Sequence, residues 1–69
     1  MSFADCVKNK MINHYGGEFK DCIGAGIATK EEMEDALKCI AAAKGLIDPE
    51  AWVAKQLVYF AVWSGECLF

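Results

Sequence analysis

The stretch DPEAWVAKQLVYFAVWSG, Asp48 to Gly65, decides how this chain folds. Asp followed by Pro reads as a helix start. The Asp side chain accepts a hydrogen bond from the open first turn, and Pro at the first helical position surrenders an N–H that would lack a partner anyway. The run after Pro49 is apolar almost all the way round, with Lys55 and Gln56 the main relief. The pattern predicts a helix from Pro49 to about Ser64, ended by Gly65 in a left-handed cap. A helix apolar on every side is buried on every side, so it is expected to be the main packing element and the dimer seam. Trp52, Tyr59 and Trp63 fall near one side, and Leu57 and Phe60 toward another. Val53, Leu57, Phe60 and Phe69 are the expected core or dimer seam. Trp52, Tyr59 and Trp63 are candidate partner-binding residues, because interface hot spots favour Trp and Tyr.

Upstream, Thr29 and Glu32 form an S/T-x-x-E capping box that opens a second well-marked helix. Glu31, Glu32, Glu34 and Asp35 crowd its first turns, while Lys38 and Lys44 sit toward its end, an arrangement that suits the helix dipole. Met33, Leu37, Ile40 and Ala41 share one face, and Gly45 is placed to cap the C-terminus. The four carboxylates are candidate partner-binding residues for a basic protein surface. At the N-terminus, Ser2 with Asp5 resembles another capping box, and Phe3, Val7, Met11 and Tyr15 form a stripe that ends at Gly16-Gly17. Between these two helices, Glu18 to about Ile27 reads as a short helix weakened by Gly24 and Gly26. The expected fold is all-α: one helical domain over residues 1–69, a compact bundle of three to four short helices whose longest and most apolar member is C-terminal.

Composition narrows the function. A hydrophobic fraction of 55 % exceeds the roughly 45–50 % usual for globular domains. So short a chain cannot hide all of that surface, and a homodimer is expected to complete its core. Ten acidic residues face seven lysines and no arginine, which argues against nucleic acid and against anionic membrane surfaces. GIATKEEMEDALKCI has the outline of a helix-turn-helix, but its second helix would push four carboxylates at phosphates. No signal peptide is visible, and the longest apolar run, Leu57 to Trp63, is seven residues, far short of the roughly 20 a membrane span needs. The expected compartment is therefore cytoplasmic, of the source cell or of an infected host.

Four cysteines each stand between a charged residue and an aliphatic one: Cys6, Cys22, Cys39 and Cys67. There is no CxxC knuckle and only one histidine, His14, so neither a metal nor another cofactor is expected. His14 lies eight residues after Cys6, about 12 Å along one helix, so the two do not form a nucleophile pair. No catalytic set emerges, and an enzyme is not expected. Prenylation fails because only two residues follow Cys67. In a reducing compartment the four cysteines read as small core hydrophobes. The rival reading is disulfides, with Cys22 and Cys39 on adjacent segments the natural pair. The expected function is a small acidic protein that binds another protein stoichiometrically, as a regulator, inhibitor or adaptor of the kind phages and viruses direct at host factors. The alternative is a secreted, disulfide-stabilised helical peptide, a toxin or signalling factor.

Overall fold

The computed structural model describes residues 2–68. Helix α1 spans Phe3–Tyr15, a 3-10 turn comes next at Gly17–Phe19, and then α2 at Lys20–Ile23, α3 at Lys30–Lys44 and α4 at Pro49–Cys67. Among the described residues there is no strand, and the all-α bundle expected from the sequence is the fold observed.

The helix ends are set by the capping residues. Ser2 Oγ accepts from the Asp5 N–H at 3.2 Å. Thr29 Oγ1 accepts from the Glu32 N–H at 3.1 Å, and Glu32 Oε1 accepts in return from the Thr29 N–H at 3.0 Å. Asp48 Oδ1 accepts from the Ala51 N–H at 3.3 Å. Gly45 closes α3 in the left-handed region, where its N–H and that of Leu46 satisfy the last carbonyls of the helix.

Two boundaries differ from the sequence reading. The second helix stops at Ile23 rather than near Ile27, because Gly24 and Gly26 both take positive φ. The segment beyond then crosses the start of α1, where the Ile27 N–H donates to the Ala4 carbonyl at 3.3 Å. Helix α4, for its part, passes through Gly65 and continues to Cys67. A glycine inside a helix costs about 1 kcal/mol relative to Ala, but two cross-links hold this last turn. Cys67 is disulfide-bonded to Cys6, and Lys10 Nζ lies 2.9 Å from Glu66 Oε2. The expected left-handed cap at Gly65 therefore does not form, and Leu68, just past the helix, is 74 % exposed. Phe69, expected in the core or seam, lies outside the described residues.

The cysteines also depart from the favoured expectation. All four are paired, Cys6 with Cys67 and Cys22 with Cys39, and no described cysteine is free. Antiparallel packing explains both pairs. The α2–α3 hairpin brings the Cys22 and Cys39 Cα atoms to 5.6 Å, and the start of α1 meets the end of α4 with Cα atoms 5.8 Å apart. Flank positions of an apolar face are where neighbouring helices touch, so a pattern that reads as core filling equally serves cross-linking.

The largest fully buried side chains are Val7, Met11, Ile27, Met33, Leu37 and Ile40. Helix α4 adds only Val53, Gln56 and Trp63 to the buried set. It is thus not buried on every side, because α1 and α3 cover one flank and nothing among the described residues covers the other.

Candidate functional site

Helix α4 has two faces with different chemistry. Its inner face meets α1 in a cluster of rings. Trp63 stacks on Tyr59 at 5.6 Å between centroids, and His14 lies 4.7 Å from Tyr59 and 5.4 Å from Trp63. Tyr15 approaches Trp52 at 5.8 Å and donates a 2.8 Å hydrogen bond from its hydroxyl to Gln56 Oε1. That bond explains why Gln56 is tolerated at 9 % exposure, since a buried amide without partners is costly. Burial, with the nearby Tyr59 a second cause, holds the Tyr15 hydroxyl well above the ordinary tyrosine pKa.

The residues singled out from the sequence divide accordingly. Trp63 is buried, Trp52 half-buried, and Tyr59 stands at the rim, 41 % exposed. Val53 is buried, and Leu57 and Phe60 pack against the same core. Of the four carboxylates of α3, Glu32 is consumed by its capping box, and Glu34 lies 3.9 Å from Lys30 one turn back. Glu31 and Asp35 are exposed. Among the described residues, no group of three or more His, Cys, Asp or Glu side chains is arranged to hold a metal ion.

The outer face of α4 is apolar and bare. Val58 is 66 % exposed and Val62 53 %, with Ile47 fully exposed just before the helix. Ala51, Ala54, Ala61 and Gly65 are exposed on the same helix. Along the α3 side of this face runs a groove of about 510 Å³, floored by Ala41, Leu46, Val53 and Leu57 and edged by Glu34, Lys38 and Glu50. It adjoins a shallower one that shares Ala54 and Leu57 and reaches Val58 and Ala61. Sequence reasoning missed this face because a helix that is apolar all round gives no sign of which side stays outside. The available signal was size. The side chains that turn inward include the large aromatics, and those that turn outward are mostly Ala, Gly and Val.

Compared with known proteins, the chain matches no protein-family model, no curated protein and no solved structure. No described helix is long and apolar enough to cross a membrane. The chemistry of the α4 face therefore carries the functional reading.

Proposed function

We propose that this protein works by stoichiometric binding to another protein molecule, without catalysis, and that the outer face of α4 is its contact surface. The observation that carries this reading is the exposure of Val58 and Val62 on α4, with Ile47 exposed just before the helix and Leu68 just after it. Contiguous exposed apolar surface on a small protein marks a place where water is excluded by a partner. The inner-face aromatics hold α4 in position, and the α3 residues that line its outer grooves, Lys30, Glu34 and Lys38, give that face a rim of mixed charge.

The experiment is affinity capture from extracts of the source cells, with wild-type protein and with Val58→Asp as baits of equal helicity by circular dichroism. Protein retained by the wild type and lost from the variant is the expected result. Identical capture by the two baits removes the α4 face from the reading.

A second reading, a secreted helical peptide acting as a toxin or signalling factor, is favoured by the pairing of all four cysteines, because disulfides persist in oxidising compartments. Intact mass of the protein from its source, before and after reduction, separates this from the cytoplasmic regulator. A native mass lower by the four hydrogens of two disulfides supports secretion, and an unchanged mass supports the cytoplasm.

A further inference from the structure

We propose that the occupant of the α4 face is a second copy of this chain, docked in parallel about a two-fold axis. This rests on the reading of that face as a contact surface and names its partner.

The first observation is register. Ala51, Ala54, Val58, Ala61, Gly65 and Leu68 succeed one another in alternating steps of three and four, and every one of them is exposed. That is the spacing of a helix seam built to meet another helix. The residues of this strip are small at four of six positions, which lets two backbones approach to the short end of the 8–10 Å interhelix range. Val58 near the middle and Leu68 at the end supply the larger apolar side chains.

The second observation is charge. On α4 itself the charged residues flanking this strip are Glu50 on the α3 side and Lys55 on the other, both exposed, while Lys30, Glu34 and Lys38 of α3 stand across the groove. Neither Glu50 nor Lys55 takes part in the ion pairs found among the described residues, Lys10–Glu66 and Lys30–Glu34. Their spacing of five is the offset at which flanking residues of two parallel helices face each other. A parallel two-fold pair therefore sets Glu50 of each copy against Lys55 of the other, twice. The antiparallel pairing that overlaps the whole strip sets Lys55 against Val62 and leaves Glu50 past the end of the other helix. Complementary flanks thus select a copy of the same chain, in one orientation.

The test is sedimentation equilibrium from micromolar to millimolar protein, on the intact oxidised chain. Wild type is expected to approach twice the chain mass. Val58→Asp is expected to weaken association about tenfold or more, by burying a charge at the centre of the seam. Glu50→Lys and Lys55→Glu alone are each expected to weaken it about fivefold, through loss of two rim pairs and gain of like-charge contacts. The double exchange, Glu50→Lys with Lys55→Glu, is expected to restore it. Restoration depends on the pairing and is not produced by a general effect on folding. Wild type that stays monomeric throughout overturns the proposal. It does so in favour of a different protein if Val58→Asp still loses its captured partner, and in favour of lipid if the monomer sediments with phosphatidylcholine–phosphatidylglycerol vesicles. A dimer indifferent to the charge exchanges overturns the parallel arrangement.

Discussion

Cys6, in the first turns of α1, is disulfide-bonded to Cys67, in the last turn of α4, across a sequence separation of 61. The bond closes nearly the whole chain into one loop and holds the C-terminal turn helical despite Gly65. A loop of that length is worth about 4 kcal/mol through restriction of the unfolded chain, against about 3 kcal/mol for the shorter one closed by Cys22–Cys39. Replacing Cys6 and Cys67 together by Ser is therefore expected to lower urea stability by more than replacing Cys22 and Cys39. It should also speed amide exchange at residues 65–68, a local effect the other pair does not produce.

Tyr15 gives a prediction in pH. Its hydroxyl is kept protonated by burial, while in the unfolded chain it ionises near the ordinary value of about 10. The stability it contributes is thus complete below about pH 10 and declines as pH rises above it. Tyrosinate absorbance is expected to show a component that titrates late in the folded protein and is missing from Tyr15→Phe. Gln56→Ala, which takes away the acceptor of the 2.8 Å bond, should destabilise the fold by about 1–3 kcal/mol.

Gly26 sits at φ 145°, and a Cβ placed there would come within 2.9 Å of the Ala4 Cβ and 3.0 Å of its backbone. Backbone strain and a clash against the start of α1 act together. Gly26→Ala is expected to cost about 2 kcal/mol or more, measured by urea denaturation. A loss under about 0.5 kcal/mol would show that the 24–29 segment does not press on α1.

Ser64 Oγ is buried with no hydrogen-bond partner among the described residues. Ser64→Ala removes that unsatisfied hydroxyl and raises helix propensity, so stability should rise by about 0.5–1 kcal/mol. A thermal midpoint lower than wild type would mean the hydroxyl is bonded in solution.

The sequence made some of this legible and hid the rest for physical reasons. Ser2, Thr29 with Glu32, Gly45 and Asp48-Pro49 act through neighbours within one turn, so those boundaries could be read locally. Gly65 is misleading because what keeps it helical lies in α1, at Lys10 and Cys6. The second helix is shorter than its local pattern suggests because Gly24 and Gly26 gain their positive φ from a loop that docks on Ala4. Cysteine pairing depends on which helices lie antiparallel, and each Cys with its aliphatic neighbour says only that it flanks a core. Trp63, a candidate partner contact by residue type, proves to be buried within the chain's own fold. The outer strip of α4 escapes a sequence reading because both sides of the helix are apolar, so only tertiary packing reveals which one is left over.

The central claim is that the outer face of α4 is the working surface of this protein and is covered by a second copy. The most direct measurement is a series of amide NMR spectra recorded across a dilution range of the oxidised chain. The expected result is concentration-dependent shifts at Ala51, Ala54, Val58, Ala61 and Val62, with Met11, Leu37 and Ile40 in the core unmoved. Spectra that do not change with concentration, or shifts centred on α1 instead, would contradict it.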